Sequence, residues 1–452
     1  MSVEATTRAA GPPRPEPEAV PSVACAPGIA PEPDDHKTTP GSPEPSRQSL
    51  RGLDWFIFFL ADVQTGFGPF VAVYLTTQKW TQVEIGFVLS IGGVVALLGQ
   101  MPGGAIVDSV RSTRLVVGAA IIAIACCALA YAAAPIFPVV VTAATVHAMA
   151  SCVLGPAIAA MTLGLVGPVR IGERLGRNAR FASLGNGVAA AVMGTCGYLL
   201  SSRSVFIVTF LLAIPVLYTL SRIRQEEIDP ARAHGVGAHR GEDSSPPFRF
   251  RDLVRQRPLL IFACAVLLLQ LANAAMLPLM AGVVTTRSAD WAPALIAFCI
   301  VVPQAFVAAT SPTVGRKAQQ WGRRPLLLAA FTALTIRGLL FAVVTDPFAL
   351  VAVQIFDGVT AAVFAVMIPL IVSDITFGRG RFSLAQGIVG TATGIGASLS
   401  TVSAGFVADK FGAPVAFVGL SCVAALGFLL ILLVMPETKR DHIDPSPKAG
   451  QA

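Results

Sequence analysis

Charged side chains are scarce in this sequence of 452 residues, where Asp, Glu, Lys and Arg together make up 13%. Soluble domains carry about 25% charged residues. The low charge, the 54% of hydrophobic residues and the mean hydropathy of +0.69 therefore exclude an ordinary soluble domain. The eight cysteines show neither a CxxC pair nor a Cys/His ligand spacing. We therefore predict neither a disulfide framework nor a zinc or other metal site.

Motifs that would indicate enzymes or ATP-driven pumps are also missing. The sequence contains no GxxxxGK[ST] phosphate-binding loop, no HExxH and no GxSxG. We therefore expect no enzymatic activity, no cofactor and no direct use of ATP. Residues 1–50 lack an apolar segment and hold eleven prolines. This composition predicts a disordered tail over 1–52 and no cleavable signal peptide.

Long apolar runs are abundant. A membrane-spanning helix needs about 20 mainly apolar residues, and twelve runs in this sequence come close to that length or exceed it. They cover 53–76, 83–107, 114–133, 137–162, 181–201, 204–221, 258–284, 291–312, 325–345, 348–374, 383–408 and 412–435. These runs are too long and continuous for barrel strands. The sequence therefore predicts an all-α membrane protein with twelve transmembrane helices.

The predicted helices fall into two groups of six that resemble each other. Gly104 and Gly315 are offset by 211 residues, as are "LAD" at 60–62 and "LAN" at 271–273, and "IDP" follows the last helix of each group. The predicted division is a tail over 1–52, an N-terminal bundle over 53–221, a linker over 222–257, a C-terminal bundle over 258–435 and a tail over 436–452. Two pseudo-symmetric bundles enclose a cavity that opens to alternate sides when they rock, as in secondary transporters.

The formal charge of +7 marks membrane orientation rather than binding to nucleic acid. With the N-terminus inside, 22 Lys or Arg residues lie on inner connections or just past the last span. The outer connections carry four, which are Lys79, Arg203, Arg287 and Lys410. This asymmetry follows the positive-inside rule. It predicts a multi-pass protein of the cell inner membrane with both termini cytoplasmic and the lipid bilayer as its surroundings.

Two basic segments lie at equivalent positions, between the second and third predicted helices of each group. The first contains Gly104, Asp108, Arg111 and Arg114, and the second contains Gly315, Gly322, Arg323 and Arg324. Both resemble the G-x-x-x-D-R/K-x-G-R-R/K-R/K pattern of the major facilitator superfamily, although Arg111 replaces a glycine and Gln319 replaces the acid. The resemblance covers about residues 50–440 and implies that fold.

In that family the segment acts as a cytoplasmic gate that stabilises the outward-open state. The resemblance implies this role for Asp108 and Arg114, and for Arg111 beside them. The other interpretation is that these residues only anchor the topology, and it is favoured for the second segment, where Gln319 stands in place of the acid.

Four ionisable residues lie near the middle of predicted spans, where charge is costly and each residue is a functional candidate. Asp62 is the first candidate for proton coupling and Asp357 the second, because burial raises a carboxylate's affinity for protons. His147 is a third candidate, or else a helix–helix contact. Asp357 has an alternative role as the static partner of Arg337, on the neighbouring predicted helix.

Neutral amides complete the predicted cavity. They are Gln64, Asn186, Gln270, Asn273, Gln354 and Gln386. Mixed amides with few charges suit a small amphiphilic, neutral or cationic solute. The leading hypothesis is a monomeric, proton-coupled exporter of a small organic compound. The alternatives are a proton-coupled importer of a nutrient and an exporter of a thiophilic metalloid, for which the cysteines within the spans would matter.

Overall fold

The computed structural model describes residues 45–65, 69–235, 250–287, 292–378 and 380–439. Its described residues form helices joined by short connections, without a β-strand. The helices are α1 (Arg47–Thr65), α2 (Pro69–Thr77), α3 (Gln82–Ser109), α4 (Thr113–Ala133), α5 (Phe137–Leu199), α6 (Ser202–Ser221), α7 (Pro230–Ala233), α8 (Phe250–Val254), α9 (Arg257–Asn273), α10 (Met276–Arg287), α11 (Ala292–Trp321), α12 (Arg324–Val343), α13 (Pro347–Val353), α14 (Ile355–Thr376), α15 (Phe382–Phe411) and α16 (Ala413–Leu433). The prediction of an all-α membrane protein is confirmed.

The helices and the twelve predicted spans do not correspond one to one. Nine stretches of the described residues are long and apolar enough to cross a membrane, and one of them, Phe137–Gly197, covers two predicted spans. The first predicted span is divided between α1 and α2, and the eleventh lies on α15; neither is among the nine. The structure is thus consistent with twelve spans without reproducing that number directly.

The longest helix, α5, changes direction at one residue. Gly167 has φ 70° and ψ 173°, which interrupts the helical path between two long segments. A positive φ costs glycine little, and Pro168 suits the first position of the next segment because it lacks an N–H to satisfy. Residues 163–180 separate the predicted spans 137–162 and 181–201, which makes them a connection in the sequence analysis, but they are helical on both sides of this break. The arginines in it therefore lie on a helix.

Apolar side chains cover the outside of the molecule as well as its interior. Large apolar residues that are more than two-thirds exposed include Leu115, Leu199, Val402 and Leu433. Aromatic side chains that are fully buried include Phe56, Phe206, Phe262 and Phe331. In water such an exterior would be unfavourable, whereas lipid solvates it. The distribution is that of a protein that lies in a bilayer.

The connection between α6 and α9, residues 222–256, is the linker, and we call the end of the helices where it lies the linker face. Its first part contains a turn of 3-10 helix, Gln225–Glu227, and the short helix α7. Glu227 accepts hydrogen bonds from the backbone N–H and hydroxyl of Ser46, at 2.9 and 3.0 Å. Burial raises the pKa of Glu227, but these bonds and Arg224 outweigh it and hold the pKa below its usual value. The linker is thereby fixed to the start of α1.

Candidate functional site

A cavity of about 300 Å³ lies between helices that precede the linker and one that follows it. Its walls come from α1, both segments of α5, and α14, which contributes Ala365 and Pro369. Most of the lining is apolar. Its polar members are Gln64, Thr162, Asn178 and Asn186, and no charged residue is among the described side chains that line it. Such a cavity suits a small solute with apolar surface and a few hydrogen-bonding groups.

Two of the amides that the sequence analysis assigns to a substrate cavity, Gln64 on α1 and Asn186 on α5, are among the residues that line this one. Asp62, the first candidate for proton coupling, belongs to the same helix as Gln64, but its side chain lies outside the described residues. His147 is half-buried on the first segment of α5. It is not among the residues that line the cavity.

A network of hydrogen bonds runs from the cavity to a buried ion pair that the sequence analysis missed. Asn178 donates to the Thr162 hydroxyl at 3.1 Å and accepts from Arg174 Nε at 2.9 Å. The Arg174 guanidinium also contacts the carboxylate of Asp54 on α1 at 2.7 Å. Arg177 binds the other oxygen of Asp54 at 2.6 Å. The spacing of Arg174 and Asn178 puts them on one helix face, but the prediction of a connection over 163–180 hid this signal.

A second polar cluster lies among the helices that follow the linker. Arg337 on α12 is 1% exposed, and its Nη1 contacts Asp357 Oδ1 at 2.7 Å and Asn273 Oδ1 at 2.5 Å. The guanidinium also lies 5.3 Å from the ring centre of Phe341. Removing one partner from a buried ion pair costs far more than removing both. The geometry therefore agrees with the alternative in which Asp357 is the static partner of Arg337, and it adds Asn273 to the pair.

The remaining predicted amides do not join the described cavity. Gln270 on α9 packs next to Gly396 of α15. Gln354 is fully buried at the junction of α13 and α14, and Gln386 is half-buried on α15. These residues lie on helices that follow the linker, and none of them is among the residues that line the cavity.

On the linker face, Asp108 at the end of α3 caps the N-terminus of α15. Its carboxylate is 2% exposed and accepts the backbone N–H groups of Ser383 at 3.0 Å and Leu384 at 2.9 Å. A helix N-terminus carries unsatisfied donors and partial positive charge, so it favours a carboxylate there. Gly104, one helical turn earlier, permits the contact, because an added Cβ would overlap the carbonyl oxygen of Ser383. One acid thus joins a helix before the linker to a helix after it.

A similar contact joins α11 to the second segment of α5. An added Cβ at Gly315 would overlap the carbonyl oxygen of Gly172, and one at Gly176 would overlap that of Ser311. Gln319 occupies the position of the missing acid and donates a 2.7 Å hydrogen bond to the Val169 carbonyl. Small residues allow the two backbones to approach closely. This contact therefore depends on close packing and one neutral hydrogen bond.

The arginines of the first basic segment do not contact Asp108. Arg114 donates to the carbonyl oxygens of Ile223 at 2.9 Å and Ser221 at 3.4 Å, so it binds the end of α6. Cations are favourable at a helix C-terminus. Arg111 is exposed in the turn between α3 and α4. These positions favour the anchor interpretation for both arginines.

In the second basic segment, Glu437 caps the start of α12. Its carboxylate accepts the N–H groups of Arg323 at 2.9 Å and Arg324 at 3.1 Å. Gly322, with φ 95°, leaves room for this carboxylate. The Arg323 side chain is buried against Asp374 at 2.8 Å, and the Arg324 side chain donates to the Leu432 carbonyl. Glu437, Arg323 and Arg324 thus hold together helices that follow the linker.

Partial burial raises the pKa of Glu437, which lies beyond the last membrane-spanning helix. The hydrogen bonds from the backbone N–H groups of Arg323, Lys439 and Arg324 favour the ionised form more strongly. The net effect holds its pKa below the usual value. The carboxylate is therefore charged at neutral pH and suits the N-terminus of α12.

The linker itself bridges the two sets of helices. Asp229 donates its N–H to the Gly164 carbonyl of α5 at 3.2 Å, and Gly235 accepts the N–H of Gly378 at 2.7 Å. His234 Nδ1 lies 3.7 Å from Asp108 Oδ1, and its carbonyl accepts the N–H of Phe382 at 3.4 Å. Residues 228–235 therefore lie across the contact that Asp108 makes. Sequence reasoning assigned this segment only the role of a connection.

Comparisons with known proteins agree with this architecture. The family model described as Major Facilitator Superfamily matches residues 55–285 and 262–451. Uncharacterised MFS-type transporters of two Mycobacterium tuberculosis strains, CDC 1551 / Oshkosh and ATCC 25618 / H37Rv, are each 40% identical over 393 residues, which cover 86% of this chain and 93% of theirs. The crystal structure of the human organic anion transporter MFSD10 (TETRAN) superposes with a TM-score of 0.64 and 14% identity. That match covers 85% of this chain and 99% of the human one, and it concerns the fold.

Proposed function

This chain belongs to the major facilitator superfamily and is a multi-pass membrane transporter, and we propose that it exports a small amphiphilic compound in exchange for protons. The observation that carries the proposal is the cavity between α1, α5 and α14, together with the contacts that join the two sets of helices at the linker face. A solute site closed on one side is what alternating access requires. We further propose that the chain acts as a monomer in the cell inner membrane, with both termini cytoplasmic.

The movement that we propose is a rocking of one six-helix bundle against the other. In the cytoplasm-closed state, Asp108 holds the N-terminus of α15, and Gly315 lies against Gly172. Opening to the cytoplasm would separate both contacts and break the backbone bonds between the linker and residues 378–382. The proposed gate therefore has three parts. They are the charged contact between α3 and α15, the close-packed contact between α5 and α11, and the linker, which crosses the α3–α15 contact.

The cavity chemistry supports export of an amphiphile. Its described polar groups are amides and a hydroxyl, which bind through hydrogen bonds without demanding a particular charge. Apolar solutes cross lipid bilayers without a carrier, so a gradient-driven carrier is of most use in removing them. An importer of a polar nutrient would be expected to offer its solute more polar groups, which makes import the second hypothesis.

Proton coupling is proposed for Asp62. It precedes the cavity residue Gln64 by two positions on α1, and a carboxylate near mid-membrane can bind and release a proton as its solvation changes. Asp357 is less suited to the role because its carboxylate already forms an ion pair with the buried Arg337 side chain. His147 keeps a secondary place, since it lies on the same helix as cavity residues.

The test uses everted membrane vesicles with a preformed pH gradient, acid inside, monitored with a fluorescent weak base. Addition of amphiphilic probes of graded charge, including ethidium and neutral aromatic amides, is expected to collapse the gradient with the wild-type protein. Asp62→Asn is expected to abolish this proton release while solute exchange without a gradient continues. Asn186→Ala is expected to weaken both, because it changes the cavity wall.

The matched control is Asp409→Asn, which removes an exposed carboxylate near the far end of α15. It should release protons as the wild type does. Proton release by Asp62→Asn equal to that of the control would refute the coupling assignment. Probe accumulation in right-side-out vesicles with acid outside would establish import in its place.

A further inference from the structure

A charged cleft on the linker face opens beside the α5–α11 contact, outside the solute cavity. It measures about 550 Å³, and three guanidinium groups, those of Arg177, Arg180 and Arg316, line it with one carboxylate, that of Glu173. We propose that this cleft binds the phosphate group of an anionic phospholipid. The proposal concerns a lipid site and does not depend on the direction or substrate of transport.

The cleft lies at the level where a lipid headgroup is found. The apolar run 181–201 begins directly after Arg180, and its 21 residues span about 31 Å as a helix, close to the thickness of the hydrocarbon core. On α11 the apolar run 291–312 ends four residues before Arg316. Both arginines therefore lie just outside the hydrocarbon, on two helices that contact each other. Lys317 against Trp321, at 4.3 Å from the ring centre, marks the same interfacial level.

The charge of the cleft suits one phosphodiester. Arg177 is held by Asp54 at 2.6 Å, yet 54% of its side chain is exposed, so its position is fixed while the side chain remains accessible from the cleft. Arg180 and Arg316 are exposed. Guanidinium groups bind phosphate oxygens through paired N–H donors. Glu173 lowers the total charge, which fits a monovalent headgroup better than a highly charged one.

One wall of the cleft is apolar, as a lipid requires and a free anion does not. Phe181, Leu184 and Pro312 form this wall, and Leu184 is 42% exposed. Trp55 of α1 packs edge-on to Phe181 with 6.1 Å between ring centres and is 49% exposed. An acyl chain or glycerol backbone that lies on these side chains would add apolar contact to the phosphate bonds. The combination of basic rim and apolar wall favours a lipid over inorganic phosphate.

The experiment measures lipid binding directly. The full-length protein is exchanged into nanodiscs that contain phosphatidylglycerol and phosphatidylcholine in equal amounts, and the lipids retained on release are counted by native mass spectrometry. The wild type is expected to retain phosphatidylglycerol preferentially. The double variant Arg180→Gln/Arg316→Gln is expected to lower this preference roughly thirty-fold, which corresponds to about 1 kcal/mol for each basic residue.

The control variant Arg222→Gln/Arg251→Gln removes two exposed arginines on the linker face that do not line the cleft. It should keep the wild-type preference. An equal loss in the control, or an unchanged preference in the cleft variant, would overturn the proposal. Displacement of the lipid by millimolar inorganic phosphate would overturn it in favour of a free-anion site.

A second measurement covers the case in which the double variant does not fold. Phosphatidylglycerol with a diazirine in its acyl chain is added to the wild-type protein, and cross-linked peptides are identified. Labelling at 181–184 and around Pro312, reduced by excess phosphatidylglycerol but not by phosphatidylcholine, is the expected result. Cross-links spread evenly over the exposed apolar surface would contradict a defined site.

Discussion

The substitution Asp108→Asn tests whether one carboxylate holds the linker face closed. In the structure this buried side chain accepts the N–H groups of Ser383 and Leu384 at 3.0 and 2.9 Å. An asparagine has nearly the same shape, but it is neutral and has one carbonyl oxygen in place of two acceptor atoms. At least one of the two bonds is therefore lost, and the favourable interaction with the start of α15 is weakened.

The expected size of the effect follows from these two bonds. A hydrogen bond to a charged group contributes about 1.5–3 kcal/mol, and one between neutral groups about 0.5–1.5 kcal/mol. Losing one charged bond and making the other neutral weakens the closed state by about 2 kcal/mol, after allowance for solvation of the freed groups. Because 1.4 kcal/mol corresponds to tenfold, the closed-to-open ratio should fall roughly thirty-fold.

Hydrogen exchange at Gly378 is a suitable assay. Its N–H binds the Gly235 carbonyl at 2.7 Å, so it reports separation of the linker from the α14–α15 turn, yet it makes no bond to Asp108. In Asp108→Asn, peptides that contain Gly378 should exchange faster by a factor approaching thirty. The amides of Ser383 and Leu384 should also exchange faster, but they lose a direct partner and so cannot report opening by themselves.

The result that would refute the reasoning is faster exchange at Ser383 and Leu384 with no change at Gly378. That outcome would mean that the cap stabilises only the first turn of α15 and that the linker face stays closed without it. Asp409→Asn, which removes an exposed carboxylate from the other end of α15, controls for the change in net charge. It should leave both sets of amides unchanged.

Two further predictions concern stability in detergent. Asp357→Asn should lower the free energy of unfolding by about 3 kcal/mol, because it leaves the buried Arg337 without its carboxylate. The double variant Arg337→Met/Asp357→Leu, which removes both charges, should lose less stability. Thermal unfolding compares the two variants, and equal losses would show that the unpaired charge is not the cause. Glu437→Gln should cost about 1 kcal/mol at pH 7 through loss of the cap on α12. Because the pKa of Glu437 is lowered in the folded state, its contribution is complete above the unfolded pKa of about 4.3 and is lost as the pH falls through the folded pKa. The difference between Glu437→Gln and the wild type should therefore vanish in acid, and a constant difference down to pH 3 would contradict this account.

The fold could be predicted from the sequence because lipid imposes a simple rule. Every backbone polar group in the hydrocarbon must be satisfied within its own segment, so a long apolar run is a helix. The rule concerns only the residues within the hydrocarbon. It therefore cannot locate the end of a helix that extends beyond the membrane. Residues 163–180 carry four arginines, and their polarity marks the edge of the membrane rather than the end of the helix. Composition alone could not distinguish these two boundaries.

The candidate site could be predicted from the sequence only in part, for a related reason. Gln64 and Asn186 lie inside apolar runs, where a polar side chain is conspicuous, and the structure places both at the cavity. Asn178 and Arg174 lie among other polar residues between two predicted spans, where their spacing on one helix face does not by itself distinguish them from solvated residues. Their roles depend on contacts with Asp54 and Thr162, more than 100 and about 15 residues away in the chain. Such pairings are set by tertiary packing, which no local pattern encodes.

The asymmetry between the two basic segments has a mechanical consequence. The α3–α15 contact depends on a charged cap, and residues 228–235 of the linker cross it. The α5–α11 contact depends on glycine packing and the hydrogen bond from Gln319 to Val169. Close packing is lost over a separation of about 1 Å, whereas the attraction between charge and helix terminus declines gradually with distance. Opening would therefore begin between α5 and α11 while Asp108 still holds α15. The lipid cleft borders the α5–α11 contact, so a bound headgroup can act on that first separation.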